Sequence, residues 1–339
     1  MTRLAPDAPL IRAFGRLLGR AGLPFPSREV CRLPLPSSRQ VYYFRFSGNG
    51  LAVVGKFLSA YPPASAADRG LGREYHNYQR AAALGLTDGR FRIPRLLGRW
   101  PELRLGLLLE AVPGPDLDRL ILGVAGQGDL SSLYQGLANL AELLAFWHSL
   151  PVPPAPVSSL EALNYLDKLR RQLRRQGLLT PEDEAALAEE RAAWELRLAQ
   201  FPDCQVLVHG DATPTNFLFP NGGGQGGPPG GGVVALDLER LRAADRLWDL
   251  SWVAGELKHA WAWRTANPAA AEGAIGHFFR TYLAALAGDP QLTERLYLLN
   301  PFFMALAELR IARNAYLTWD HRRWLVAEAR RCLTFGRKL

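Results

Sequence analysis

The sequence has few cysteines and no long apolar run. Only three of its 339 residues are cysteines, and they lie far apart, are odd in number and form no CxxC pair. This pattern excludes a disulfide framework and disfavours a structural zinc site. No apolar run approaches the roughly 20 residues that a helix needs to cross a bilayer, and the N-terminus has no signal-peptide core. We therefore expect no membrane span and a cytoplasmic location.

A recognisable DNA- or RNA-binding motif is also missing, although the formal net charge is +8. Most of the positive excess comes from arginines scattered along helical patterns. The run from Lys168 to Arg175 is typical of a solvated helix face. The charge permits an anionic partner such as a nucleotide, and we expect no nucleic-acid partner.

The first third of the chain predicts a small sheet with one main helix. Residues 8–26 predict an amphipathic helix that packs on its own domain. Residues 41–58 read as a hairpin, because two β-rich runs flank a Ser-Gly-Asn-Gly turn. Residues 67–86 predict a helix, and residues 91–112 predict two further strands. We assign residues 1–112 to an N-terminal lobe.

The rest of the chain, residues 113–339, predicts a mostly helical second lobe. Pro113-Gly114-Pro115 interrupts the strand pattern and is the best candidate for a hinge between the lobes. Apolar residues keep helical spacing from Leu130 to Trp147, and Thr180-Pro181 is a good helix start. The expected fold class is therefore α+β, with a chain long enough for two lobes.

One stretch of the second lobe, residues 206–219, combines buried strands with polar side chains. Two apolar runs flank a turn that contains His209, Asp211 and Asn216. A carboxylate and a carboxamide five positions apart in such a turn indicate a catalytic or binding role more than a simple connecting loop. Asp211 can accept a proton from an attacking hydroxyl, whereas Asn216 and the later Asp237 offer the hard oxygen ligands that magnesium prefers.

A lysine interrupts an apolar strand of the first lobe. Lys56 lies in the run LAVVGKFL, where a charge is unfavourable unless it is paired, and Glu74 on the following helix is the candidate partner. Phosphoryl transfer needs a lysine that contacts phosphates, a glutamate that holds the lysine, a base and a pair of metal-binding residues.

These segments carry a family resemblance. HGDATPTN, residues 209–216, resembles the His-Gly-Asp-x-x-x-x-Asn loop of the aminoglycoside phosphotransferase and choline kinase family. ALDLE, residues 235–239, resembles its Asp-x-Glu metal motif, and residues 244–253 resemble its Gly-Asp-Pro-x-x-Asp-Leu-Ala segment. The resemblance implies a bilobal protein-kinase-like fold, with a small antiparallel sheet in the N-lobe and a helical C-lobe.

The resemblance also implies a role for each matching residue. Asp211 would orient or deprotonate the acceptor hydroxyl, and Asn216 and Asp237 would hold Mg²⁺ on the phosphates of ATP. Lys56, tethered by Glu74, would contact the α and β phosphates. The nucleotide would also meet backbone groups of Glu110 and Val112 and the hydroxyls of Ser37 and Ser38. The remaining implied residues support the site structurally, namely His209, Glu239 and Asp249.

The sequence departs from the family pattern in three places. The first hairpin lacks the glycines that cover phosphates in protein kinases, so Ser37 and Ser38 are expected to donate hydrogen bonds there. Ala244-Asp245-Arg246 replaces Gly-Asp-Pro, and a glycine-rich insertion at residues 222–232 lengthens the link between Asn216 and Asp237. We interpret this insertion as an enlarged hairpin tip.

The acceptor site is the least defined part of the prediction. Trp252 and Trp319 are candidates for an aromatic wall, although core packing is the commoner role of tryptophan. Glu256 offers negative charge for an aminated acceptor, but arginine and lysine follow nearby.

The sequence therefore predicts an ATP- and Mg²⁺-dependent kinase that phosphorylates a hydroxyl of a small molecule, of the amino sugar, amino alcohol or sugar class. One alternative is a catalytically silent nucleotide-binding regulatory module of the same fold. A second alternative is a protein kinase, which is disfavoured because no long activation segment follows Asp237.

Overall fold

A computed structural model describes residues 2–25, 29–37, 39–48, 50–127, 130–220 and 231–339, with the backbone alone at 125–127. Ser38 and nearly all of the glycine-rich insertion therefore lie outside the described residues, as does its expected hairpin tip. The chain divides into two compact units, which are Met1–Gly114 with Leu218–Arg240 and Pro115–Phe217 with Leu241–Leu339. The segment Leu218–Arg240, expected in the second lobe, groups with the first unit.

The helices and strands are numbered in chain order. The strands are β1 (Thr2–Arg3), β2 (Val30–Pro34), β3 (Gln40–Phe46), β4 (Ala52–Phe57), β5 (Phe91–Arg92), β6 (Leu96–Trp100), β7 (Leu105–Glu110), β8 (Val206–Val208), β9 (Phe217–Leu218), β10 (Val233–Ala235) and β11 (Arg242–Ala244). The helices are α1 (Pro9–Arg20), α2 (Ala66–Ala83), α3 (Leu117–Gln127), α4 (Ser131–His148), α5 (Ser159–Arg175), α6 (Pro181–Gln200), α7 (Leu247–Thr265), α8 (Glu272–Ala285), α9 (Pro290–Ala312) and α10 (Trp319–Lys338).

The first unit is built on an antiparallel sheet. Among the described residues its strand order is β1-β2-β3-β4-β7-β6. The amphipathic pattern of α1 places Ile11, Phe14, Leu17 and Leu18 in one apolar core with the sheet. The prediction that this helix packs on its own domain is therefore confirmed.

Helix α2 is fixed at its start by a capping box. The Ser65 hydroxyl accepts a hydrogen bond from the Asp68 amide at 3.0 Å, and the Asp68 carboxylate accepts one from the Ser65 amide. The buried face of the helix includes Leu71, Glu74 and Tyr78. The sequence thus sets both the start of α2 and the direction in which Glu74 points.

The second unit is mainly helical. Helix α9 packs against α7 and α10, and α4 packs against α8. Thr180 caps α6 through a capping box with Asp183, as the sequence predicts. Strand β8 pairs antiparallel with β11, which fixes the beginning of the polar loop at residues 209–216. No helix among the described residues has the length and apolar character required to cross a membrane.

Glu308 on α9 is a buried carboxyl in this helical core. Its side chain is 0% exposed, and the Cys332 thiol is in a position to donate a hydrogen bond to it. Glu328 and Cys332 place their ligand atoms within 4.8 Å of it, and Lys258 pairs with Glu328. Burial raises the pKa of Glu308 to about 8, although Lys258 lowers it.

We expect Glu308→Gln to flatten the pH dependence of stability. Because the folded-state pKa of Glu308 is raised, its contribution is most favourable below pH about 4.5 and is lost as the pH rises to about 8. As the pH rises between these two values, the free energy of unfolding of the variant should increase relative to that of wild type by on the order of a few kcal/mol. Urea unfolding at several pH values measures the difference. The exposed Glu294→Gln on the same helix is the control, and a difference that does not change with pH would contradict the assignment.

Candidate active site

A buried ammonium group lies between two carboxylates in the first unit. Lys56 Nζ on β4 donates to Glu74 Oε1 at 2.6 Å and to Asp237 Oδ1 at 2.9 Å. Glu74 comes from the buried face of α2, and Asp237 follows β10. Glu74 and Asp237 are 18 and 181 positions from Lys56 in the sequence, yet the fold brings the three residues together.

The charges in this cluster stabilise one another. Burial lowers the pKa of Lys56, but Glu74 and Asp237 more than offset this and hold it above its ordinary value. Burial raises the pKa of Glu74 to about 7, against the opposing effect of Lys56. The lysine therefore remains charged at neutral pH. A charge held this way is suited to contact an anionic phosphate.

Asp237 is held by its neighbours in an uncommon backbone conformation. Its φ is +60°, in the left-handed region that aspartate tolerates better than most residues. Strand β10 pairs parallel with β5, and Asn77 Nδ2 on α2 donates to the Leu238 carbonyl at 2.7 Å. Strain of this kind persists where the surroundings fix the backbone, which is common at functional sites.

Arg39 is a member of this cluster that no sequence pattern indicated. It forms a hydrogen-bonded ion pair with Glu239, and its Nη1 lies 3.6 Å from Glu74 Oε2. Arg73 also donates to Glu239, at 3.1 Å. A Cβ at position 70 would lie 2.2 Å from Glu239 Oε1, so a larger residue there would displace the Glu239 side chain. Glu239 is thus part of an ion-pair network that includes Arg39 and Arg73, and its supporting role stays a prediction.

The other residues expected at the nucleotide lie in the same unit. Ser37 accepts a hydrogen bond from the Arg39 amide at 3.2 Å and so closes the turn between β2 and β3. The Glu110 side chain is occupied, because both of its oxygens accept from Arg92 at 3.0 Å. At Glu110 only backbone groups remain candidates for adenine, and Val112 follows at the partly buried end of the strand.

In the second unit, Asp249 organises the polar loop. It lies in the first turn of α7, and its Oδ2 and Oδ1 accept the amides of His209 at 2.7 Å and Gly210 at 2.8 Å. Gly210 has a φ of +75°, which favours glycine at this bend. His148 Nε2 lies 3.3 Å from Asp249 Oδ2.

The protonation states of this buried pair follow from its surroundings. Burial raises the pKa of Asp249, but hydrogen bonds and the nearby histidines more than offset this and hold it below the usual range. Burial lowers the pKa of His148. A neutral His148 that donates from Nε2 to a charged Asp249 and accepts the Tyr282 hydroxyl at Nδ1, at 2.8 Å, satisfies all three groups.

The loop itself is folded by its own side chains. His209 Nδ1 accepts the Asp211 amide at 3.3 Å, and its ring stacks near that of Trp147. Asn216 Nδ2 donates to the Asp211 carbonyl at 2.9 Å. Because its amide nitrogen is used in this way, Asn216 presents its carbonyl oxygen as a ligand atom.

The Asp211 carboxylate pairs with Arg310 of α9. Arg310 Nη2 donates to Asp211 Oδ1, and Arg310 Nη1 donates to Glu256 Oε1 at 3.4 Å. No sequence pattern indicated a role for Arg310. It offered no signal for this pairing, since the two residues are 99 positions apart.

A cavity of about 490 Å³ borders the loop within the second unit. Its lining includes Thr213 and Thr215 of the loop and Glu256, which was expected there. Trp252 is 1% exposed and packs against Trp248 and Tyr165 instead of lining this cavity. The lining of the cavity also omits Trp319, which is 53% exposed at the start of α10. Trp263 lines it instead.

Each unit contains an oxygen donor of the kind that Mg²⁺ prefers. Asn216 offers a carbonyl oxygen, and Asp237 offers a carboxylate whose side chain is 42% exposed although it pairs with Lys56. Hard oxygens of this kind are its usual protein ligands. Lys56 and Asp211 add an ammonium and a carboxylate, which are residue types that phosphoryl transfer uses.

Comparisons with known proteins agree with this chemistry. A family model described as the phosphotransferase enzyme family matches residues 29–291. No curated protein matches the chain.

Several solved structures are similar in fold. The complex of streptomycin, ATP and APH(2″)-IIa superimposes with a TM-score of 0.57 and 14% identity over 97% of each chain. An ethanolamine kinase from Plasmodium vivax gives a TM-score of 0.56 and 12% identity over 91% of this chain and 82% of the other. A glucosamine kinase gives a TM-score of 0.53 and 17% identity over 84% of this chain and 73% of the other. The expected α+β protein-kinase-like fold is confirmed.

Proposed function

Because the chain belongs to the phosphotransferase enzyme family, we propose that it transfers the γ-phosphate of ATP, with Mg²⁺, to a hydroxyl group of a small molecule. The observation that carries the proposal is the Lys56 ammonium held between Glu74 and Asp237. A buried lysine with two acidic partners, one of them half exposed, is arranged to exchange a carboxylate for a phosphate.

Each residue has a defined task in the proposed reaction. Lys56, oriented by Glu74, contacts the α and β phosphates. Asp211 takes the proton of the acceptor hydroxyl. The oxygen of that hydroxyl forms a bond to the γ-phosphorus, and the bond between the γ-phosphorus and the oxygen that leaves with ADP breaks. Asn216 and Asp237 each supply an oxygen to Mg²⁺. When bound, the ion neutralises charge on the phosphate oxygens.

The acceptor in this proposal is a hydroxylated small molecule. The sequence favoured amino sugars, amino alcohols and sugars, and two of the similar structures are an ethanolamine kinase and a glucosamine kinase. A cavity of about 490 Å³ beside the loop has the size of a small-molecule site. A cytoplasmic location completes the proposal and is supported by three cysteines, none of which is in a disulfide.

One observation favours the alternative of a silent nucleotide-binding module. The ion pair with Arg310 occupies one oxygen of Asp211, so an acceptor hydroxyl cannot hydrogen-bond to that oxygen while the pair is in place. In a silent module this pair would be permanent. In an enzyme the acceptor must be able to replace it.

We expect Asp237→Asn to remove most of the effect of Mg²⁺ on ATP binding. Calorimetric titration should show that wild type binds ATP more tightly when Mg²⁺ replaces EDTA. In the presence of Mg²⁺, the variant should bind ATP roughly 10- to 100-fold more weakly than wild type, which is the range for the loss of a charge-assisted contact. Lys56→Met should weaken binding with or without the metal. The exposed Asp88→Asn is the control. Equal Mg²⁺-dependent binding by Asp237→Asn and wild type would count against the proposal.

A further inference from the structure

One arginine beside the polar loop is shared between two carboxylates. Arg310 Nη2 donates to Asp211 Oδ1, whereas Arg310 Nη1 lies 3.4 Å from Glu256 Oε1, which is longer than a typical hydrogen bond. The pair with Asp211 is therefore the closer of the two. Since Asp211 is the proposed base, the position of this one guanidinium group affects whether a hydroxyl can reach the Oδ1 atom.

The surroundings of Arg310 allow its guanidinium group to shift toward Glu256. Its buried Nε has no hydrogen-bond partner among the described residues, so no bond at that atom fixes the guanidinium plane. Its Cζ lies 5.9 Å from the ring centre of Trp252, a flat apolar surface on which the group can move. Trp252 and Glu256 are four positions apart on α7 and therefore lie on the same face of that helix. A shift of about 0.5 Å would bring Nη1 close to the usual length of a charge-assisted hydrogen bond.

The attraction of Glu256 for Arg310 depends on whether the glutamate is ionised. Burial raises the pKa of Glu256 to about 7; Arg310 opposes this effect, and Asp211 and Asp118 add to it. Tyr316, in the turn after α9, also faces Glu256 and stays neutral, because its pKa is raised by burial and by this glutamate. The Glu256 carboxyl is therefore about one-tenth ionised at pH 6 and about nine-tenths ionised at pH 8.

We propose, on the premise of the phosphotransferase function above, that Glu256 is a positioning residue that draws Arg310 away from Asp211 and so opens the base to the acceptor. When Glu256 is neutral, Asp211 retains the guanidinium group, because a charged acceptor binds it more strongly than a neutral one. When Glu256 is ionised, Arg310 bonds to it, and the released oxygen of Asp211 accepts the hydroxyl proton. Burial lowers the pKa of Arg310, but Asp211 and Glu256 more than offset this, so the arginine keeps its own proton throughout.

Hydrolysis of ATP tests this mechanism with a known acceptor, because water can take the place of the small molecule. Asp211 then accepts a proton of water, the water oxygen bonds to the γ-phosphorus, and ADP and phosphate are released. The full-length protein is assayed with saturating ATP and Mg²⁺ and no other acceptor. For wild type, the rate should rise by roughly tenfold from pH 6 to pH 8, as the ionised fraction of Glu256 does.

Two variants that break the same contact should change the rate in opposite directions. Glu256→Gln cannot attract the guanidinium group as a carboxylate does, so its rate at pH 8 should be roughly tenfold below wild type, with no rise from pH 6. Arg310→Met keeps the apolar stem but leaves the base uncovered, so its rate at pH 6 should be roughly tenfold above wild type. The double variant should behave as Arg310→Met does. A general loss of structure would lower every one of these rates.

Asp118→Asn gives an independent measurement of the same mechanism. It removes a negative charge that raises the pKa of Glu256 and releases Arg264, the partner of Asp118 at 2.6 Å. Both changes should move the rise in rate to lower pH. The exposed Glu272→Gln on α8 and the exposed Arg175→Gln on α5 are the controls and should follow wild type at each pH.

The inference is overturned if folded Glu256→Gln keeps the wild-type rise between pH 6 and pH 8. It is equally overturned if folded Arg310→Met, while still binding ATP with Mg²⁺, forms ADP no faster than wild type at pH 6. Circular dichroism establishes that each variant is folded, and Arg310→Ala replaces Arg310→Met if the latter is not. The phosphotransferase function fails by a different measure, the absence of Mg²⁺-dependent ATP binding by wild type. That result removes the premise, whereas the first two leave it intact.

Discussion

Asp211→Asn is expected to lower kcat by roughly 10²- to 10⁴-fold, which is the usual contribution of a positioned general base. The amide keeps the size of the carboxylate and one oxygen for Arg310, so the loop should stay folded. Its loss of activity would therefore come from the missing proton acceptor. ADP formation with the hydroxylated small molecule that gives the highest wild-type rate measures the effect, and calorimetry should show that ATP binding is retained.

Asp320→Asn is a suitable control for this variant. Asp320 is exposed in the first turn of α10 and is not part of the site. Its activity should match wild type. If Asp211→Asn retained a rate within about threefold of wild type, Asp211 would not be the base, since even a modest contribution from general base catalysis is roughly 100-fold.

Asp249→Ala is expected to be the most destabilising of the proposed substitutions. It removes the acceptor for the buried amides of His209 and Gly210 and leaves His148 Nε2 without its partner. Buried donors without partners, and broken buried pairs, lower stability by about 3–5 kcal/mol in total. The polar loop begins at these two amides, so kcat should fall as well.

The urea midpoint of unfolding measures the effect of Asp249→Ala. Asp320→Ala removes an exposed aspartate from the first turn of α10 and is the matched control, with an expected loss below about 1 kcal/mol. Asp249→Asn, which keeps one acceptor oxygen, should be intermediate. A midpoint for Asp249→Ala equal to that of the control would show that the two amides do not depend on this carboxylate.

Local patterns in the sequence were sufficient to predict much of the secondary structure. The apolar periodicity of residues 8–26 identified α1, and Thr180 with Asp183 identified the start of α6. Alternating apolar residues and a strong turn signal identified the hairpin of β3 and β4. These features depend on neighbours in the sequence, and residues three or four positions apart determine them.

The pairing partners in the site could not be predicted in the same way. Arg39 reaches Glu239 across 200 positions and Arg310 reaches Asp211 across 99, and no local spacing encodes either contact. Lys56 and Glu74 were paired correctly because a charge inside an apolar strand requires a partner. Arginines are common on protein surfaces, and nothing in the local sequence around Arg39 or Arg310 indicated a site.

The tryptophans show a second limit of sequence patterns. Helix α7 is buried almost continuously from Leu247 to Gly255, so its periodicity does not separate a core face from a cavity face. Trp252 was therefore indistinguishable from Trp263 by spacing, although the first packs in the core and the second lines the cavity.

The discontinuity of the first unit has a consequence for biosynthesis. Met1–Gly114 leaves the ribosome long before Leu218–Arg240, and translation at roughly 5–20 residues per second separates the two segments by several seconds. During that interval Asn77 lacks the Leu238 carbonyl and Lys56 lacks Asp237. A nascent chain halted before residue 218 should thus expose this polar cluster to water and be cleaved there more readily by proteases than the finished protein.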